Sequence, residues 1–227
     1  MDVNEVIQAL QAYGTEQNRK VYRRHGVGEN QFGVSFANLK ALKKQIKTDH
    51  ALAQQLWASG NHEARLLALM IADPQAATLE LLQVWVQDLD NYVITDAFSA
   101  FASQTPFARQ LMARWTEEDG EWVGQAGWDL LAHLAMKDAQ LPEAFFEPYL
   151  NTIEAEIHTR KNRVRHAMNS ALIAIGIRTP ALEQQALAAA QHIGKVQVDH
   201  GQTSCKTPDA TAYIRKTLAR KRSPARG

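Results

Sequence analysis

Tyr92 and Asp96 stand four residues apart in the stretch Asp90-Asn91-Tyr92-Val93-Ile94-Thr95-Asp96. Asn91 is a favourable helix N-cap, and Val93, Ile94, Ala97, Phe98 and Phe101 recur at helical spacing. The spacing puts an aromatic ring and a carboxylate on one face of the first turns of a helix, beside its positive end. Such a pair can brace a cationic or electron-poor group. From spacing alone, a half-buried tyrosine beside a solvated aspartate is the commoner outcome.

Two basic groupings lie upstream. Arg19, Lys20, Arg23, Arg24 and His25 end one predicted helix, and Lys40, Lys43, Lys44 and Lys47 line one side of the next. Charge on one face of an amphipathic helix is ordinarily solvated surface. Two such elements in succession suggest a phosphate-facing rim, with Lys43 and Lys44 as candidate contacts. Asp199, His200 and Cys205 share a polar loop but lack Cys-x-x-Cys or paired-histidine spacing, so neither a metal nor any other cofactor is expected. His133 and His166 read as structural or surface residues.

The elements that position these residues are helical. The chain is rich in Ala, Leu and Gln, with 12 Gly and 7 Pro in 227 residues and almost no consecutive β-branched runs. Short helices are predicted over 2–13 and 15–25, and further helices open at Ser35 and Asp49. Helices over 61–72, 91–103, 121–136 and 162–177 then close at Asp73-Pro74, Thr105-Pro106, Lys137-Asp138 and Thr179-Pro180, about 32, 32 and 42 residues apart. Each is followed by a second helix, over 76–87, 107–115, 143–157 and 182–193. Paired helices at this period read as an all-α solenoid of the HEAT or armadillo kind, an α-α superhelix. The first helices of the pairs carry Arg65, Tyr92, Asp96, Gln125, Trp128, Arg163 and Arg165, the candidates for a concave binding layer. A single repeat domain is expected over 1–227, with a polar loop near 194–207, a closing helix near 208–219 and a basic tail over 220–227.

The formal net charge of +1 conceals an asymmetry: Arg215, Lys216, Arg220, Lys221, Arg222 and Arg226 follow Asp209 with no acid among them, so the rest of the chain is acidic. No apolar run reaches the roughly 18 residues a bilayer span needs. The N-terminus lacks signal-peptide character, and one cysteine suits a reducing compartment; a cytoplasmic monomer is expected.

The chain resembles the AlkD-like DNA alkylation repair proteins, built from HEAT-like repeats. The resemblance rests on Tyr22-Arg23-Arg24-His25-Gly26 with Phe32-Gly33-Val34, Glu63-Ala64-Arg65-Leu66-Leu67-Ala68, and Trp85-Val86 with Asp96. It continues through Trp122-Val123-Gly124-Gln125-Ala126-Gly127, Arg163-Val164-Arg165-His166-Ala167, Val198-Asp199-His200-Gly201 and Cys205-Lys206-Thr207-Pro208. It implies a glycosylase excising N3- or N7-alkylated purines from duplex DNA. Asp96 would stabilise the oxocarbenium-like sugar and Tyr92 would form an aromatic wall, with both as catalytic candidates. Arg65, Gln125, Trp128, Arg163, Arg165, Lys43 and Lys44 would line the DNA-binding surface. Three positions depart from the family pattern: Tyr92 replaces a tryptophan, Gln125 an arginine, and Ser170 a second tryptophan. A non-catalytic DNA-binding protein or a protein-interaction scaffold therefore stands as the alternative to an enzyme.

Overall fold

The computed structural model describes residues 1–222, so most of the expected basic tail, residues 223–227, lies outside the described part. Among the described residues there are thirteen α-helices and no strand. They pack as two compact units: Met1–Phe107 with His200–Ser204, and Ala108–Asp199 with the chain from Cys205 onward.

The first unit contains α1 (Val3–Tyr13), α2 (Glu16–Arg24), α3 (Phe36–Ile46), α4 (His50–Ala58), α5 (His62–Ile71), α6 (Leu79–Trp85) and α7 (Tyr92–Ala102). Every one of these helices opens on a residue whose side chain accepts a first-turn backbone N–H: Asp2, Thr15, Ser35, Asp49, Asn61, Thr78 and Asn91. Each cap contributes about 1 kcal/mol, and together they place the helix starts. Thr78 explains why α6 begins three residues later than the sequence pattern predicts; its end tightens into a 3₁₀ turn over Val86–Asp88. The core is aromatic. Trp57 stacks on Trp85 with centroids 4.4 Å apart, and Phe98 and Phe101 tilt against them.

A buried carboxylate ties this unit together. Glu63, on α5, has no exposed surface, and its oxygens accept the backbone N–H groups of Phe32, Gly33 and Val34 at 2.9, 2.6 and 3.0 Å. Gly33 has φ +81°, and a Cβ there would lie 2.3 Å from the Thr15 carbonyl oxygen, so only glycine fits the turn. The Tyr22 hydroxyl donates to Val34 O at 2.7 Å; burial first, and the Glu63 charge second, push it up to about 12. The segment before the lysine-bearing α3 is thus fixed from both sides.

The second unit contains α8 (Ala108–Trp115), α9 (Glu121–Lys137), α10 (Glu147–Glu156), α11 (Asn162–Gly176), α12 (Pro180–Ile193) and α13 (Ala210–Arg222). The predicted 143–157 helix begins instead as a 3₁₀ turn, Glu143–Phe145. The closing helix starts later than predicted because the Asp209 carboxylate caps it by accepting Ala212 N–H at 2.7 Å, and it runs on to Arg222. Residues 220–222 are therefore helix rather than tail. Lys221 donates to Ile177 O at 3.1 Å, and Arg222 pairs with Glu183 at 2.5 Å.

Gly127 sets how closely α9 approaches α8. A Cβ on it would lie 2.5 Å from Thr116 N and from Trp115 C, both backbone atoms. Gly127→Ala gains about 1 kcal/mol in helix propensity but overpacks a contact that cannot yield by rotating a side chain, a cost of up to about 3 kcal/mol. The net expectation is a loss of about 2 kcal/mol, read as a lowered urea midpoint at unchanged slope.

Candidate nucleic-acid interface

The expected site residues divide between the units. Lys43, Lys44, Arg65, Tyr92 and Asp96 fall in the first, and Gln125, Trp128, Arg163 and Arg165 in the second.

In the first unit Asn91 Oδ1 accepts the Val93 and Ile94 N–H groups at 3.0 and 3.2 Å, opening α7 at Tyr92. Tyr92 is half-buried and Asp96, one turn on, is exposed. The Tyr92 hydroxyl is hydrogen-bonded to His25 Nδ1, and the two rings lie 5.8 Å apart. No spacing rule joins residues 67 apart in sequence, so this contact was invisible before the fold was known. It brings the basic end of α2 beside the start of α7. Within that end, Arg23 is neutralised by Glu16 and Glu29 at 3.2 and 3.1 Å, whereas Lys20 and Arg24 are exposed and have no ion-pair partner among the described residues.

Lys40, Lys43, Lys44 and Lys47 are all exposed, at helical spacing along α3 and its C-cap. None of the four has an ion-pair partner among the described residues. Lys43, Lys44 and Lys47 lie at the negative C-terminal end of α3, which favours their ammonium groups.

Arg65 is occupied elsewhere. Its guanidinium donates to Trp57 O at 3.3 Å and Asp88 O at 2.9 Å, pairs with the Asp88 carboxylate at 3.3 Å and lies over the Trp57 ring. Its ion-pair partner is Asp88, and it braces α4 and α5 against the chain entering α7. Arg65, expected to hold phosphate, is thus engaged by Asp88 and Trp57 within the first unit.

In the second unit the expected contacts lie mostly inside. Trp128 has no exposed surface and packs edge-on to Tyr149; Gln125 is 1% exposed and donates to Asp129 at 3.2 Å. Arg163 is 7% exposed, and its backbone N–H donates to Glu121 at 2.8 Å, so Glu121 supplies the cap that Lys161 cannot. Gln125, Trp128 and Arg163, expected on the DNA-contacting surface, are interior residues of the second unit. Arg165 is half-buried. Among the described residues no group of three or more His, Cys, Asp or Glu is placed to hold a metal, and no helix is long and apolar enough to cross a membrane.

Comparison with known proteins agrees with this architecture. The sequence pattern of the DNA alkylation repair enzyme family matches residues 6–214. The uncharacterized proteins Lin0241 of Listeria innocua and Lmo0209 of Listeria monocytogenes are each 30% identical over 218 residues, covering 93% of this chain and 95% of theirs. A solved structure, described as a new family of proteins related to the HEAT-like repeat DNA glycosylases with affinity for branched DNA structures, superposes with a TM-score of 0.89. It is 30% identical and covers 98% of this chain and 96% of its own. With its paired helices and this likeness over nearly its whole length, the chain belongs to the DNA alkylation repair family and has the HEAT-like repeat fold of the related DNA glycosylases.

Proposed function

We propose that the chain is a DNA-binding member of this family that recognises branched duplex DNA. The observation that carries this reading is the row Lys40, Lys43, Lys44 and Lys47 on α3, exposed and without carboxylate partners among the described residues. Lys20 and Arg24 on α2 add to it. Phosphate contacts of this kind are electrostatic and sequence-tolerant. The affinity for branched DNA described for the 30% identical structural relative supports the choice of partner.

Base excision is the second reading, and exposed Asp96 one turn beyond Tyr92 favours it. An alkylated purine already carries positive charge, so it leaves without a strong acid; a carboxylate is needed to stabilise the cationic sugar. It ranks second because Tyr92 is bonded through its hydroxyl to His25, and Gln125 and Trp128 offer a nucleotide almost no surface.

One set of titrations tests both. Affinity for a four-way junction and a linear duplex is measured against salt, with Lys43→Ala/Lys44→Ala alongside wild type. Loss of two phosphate contacts is expected to reduce the slope of log K against log salt by about 2 and to weaken binding about tenfold. Binding that is absent, or unchanged in the variant, would sink the phosphate-rim reading; absence of all binding points to a protein partner. Release of methylated purine by wild type but not Asp96→Asn would restore the excision reading.

A further inference from the structure

In the second unit an open groove of about 950 Å³ runs between the C-terminal halves of α9 and α11 and along α13, bordered by residues 139–143. Its floor is apolar and small, formed by Ala135, Ile173 and Ala174. Two large apolar side chains facing it are kept in water: Met136 is 66% and Tyr213 50% exposed. Their exposure leaves apolar surface in the groove open to a ligand.

The charges around it are unequal. Lys137, Arg178 and Lys221 line the groove against one carboxylate, Glu143. The Arg178 guanidinium donates to the carbonyls of Ala135, Asp138 and Leu141 at 2.8, 2.6 and 2.7 Å, and Lys221 to that of Ile177. The Asp138 carboxylate lies in the field of Arg178, so the cations left to the groove are Lys137 and Lys221. Lys137 has no ion-pair partner among the described residues. The occupant is therefore flat or apolar on one side and anionic on another.

We propose that this groove receives an unpaired nucleotide of DNA, its base stacked on Tyr213 over the Ile173–Ala174 floor and its phosphate held by Lys137 and Lys221. The inference rests on the DNA binding proposed above and adds what distinguishes a branch from a duplex. In a paired duplex the base faces are hidden in the stack, and at a branch point a base can leave it. An acidic amphipathic peptide shares the charge preference, but its apolar face would cover the Thr217 hydroxyl in the groove wall; the Ser170 and Thr179 hydroxyls are already bonded to His166 O and Leu182 N–H. A base edge carries donors and acceptors that suit such a hydroxyl, and aromatic stacking with cationic support is how single nucleotides are ordinarily held.

The test uses the whole chain and three probes: a fully paired duplex, the same duplex with one unpaired 2-aminopurine, and the same duplex with an abasic site at that position. Wild type is expected to bind the unpaired base about tenfold more tightly than the abasic site, with quenching of its fluorescence on stacking. Tyr213→Ala removes the quenching and most of that preference. Met136→Glu, which sets a negative charge at the groove mouth, reduces the preference as well. Both positions are exposed, and a thermal melt confirms that the variants fold. Equal affinity for base and abasic site, with the paired duplex still bound, overturns the nucleotide groove alone. A preference unchanged in both variants overturns it too and assigns the groove to another occupant, such as an acidic peptide. Failure to bind any of the duplexes or a four-way junction removes the DNA-binding reading itself.

Discussion

Glu63→Ala is expected to cost the first unit about 3–5 kcal/mol, a large fraction of the roughly 5–15 kcal/mol that holds a domain folded. The carboxylate accepts three backbone N–H groups at Phe32, Gly33 and Val34, and it is wholly buried. An alanine leaves all three donors without an acceptor, each costing about 1–3 kcal/mol, with water entering the cavity recovering part of that. Glu63→Gln keeps one acceptor oxygen but turns an amide N–H₂ toward a donor, so it is expected to fall between wild type and alanine. Urea unfolding checks the order. The same variants test the link to function: Gly33 and Val34 lead into α3, so loss of the clamp should weaken junction binding in step with the disordering of the lysine row. Binding that survives in Glu63→Ala would show that α3 is held without this clamp.

Acid is expected to destabilise both units through one histidine each. Burial, with a smaller contribution from Arg65, pushes His62 down to about 4, and burial with Lys137 pushes His133 down to about 4. Both are neutral in the folded protein at neutral pH. The unfolded chain takes up its protons near pH 6.5, whereas the folded chain resists until about pH 4. The unfolded state therefore binds more protons as pH falls through this window, and stability declines with it. Full stability is present above about pH 7, the loss accumulates down to about pH 4, and it levels off below. A shift of this size corresponds to roughly 3 kcal/mol for His62 and, since His133 is less enclosed, roughly 2 kcal/mol there. Urea midpoints at pH 7.5 and 4.5, compared with His62→Phe, check this: the variant should show a flatter decline in the first unit. An equally steep decline would assign the acid sensitivity to other groups.

The sequence by itself determined the all-helical repeat and most helix starts, because these are local. A cap acts within three residues and apolar periodicity within a few turns, so Ser35, Asp49, Asn61 and Asn91 mark the helix starts seen in the structure. The pairing of Tyr92 and Asp96 one turn apart on α7, and the lysine face of α3, were legible for the same reason. Whether a given polar residue faces water or the interior was decided only by the tertiary structure. No local rule assigns Arg65 to Asp88, 23 residues on, or sets Glu63 against the Gly33 backbone 30 residues before it. Gln125, Trp128 and Arg163 occupy first helices of their pairs, as expected, but point into the interior. A repeat period fixes which helices neighbour one another; it does not fix the rotation of each about its own axis. That rotation is set by close contacts such as those at Gly127, and it separates a residue that can touch DNA from one that holds the core together.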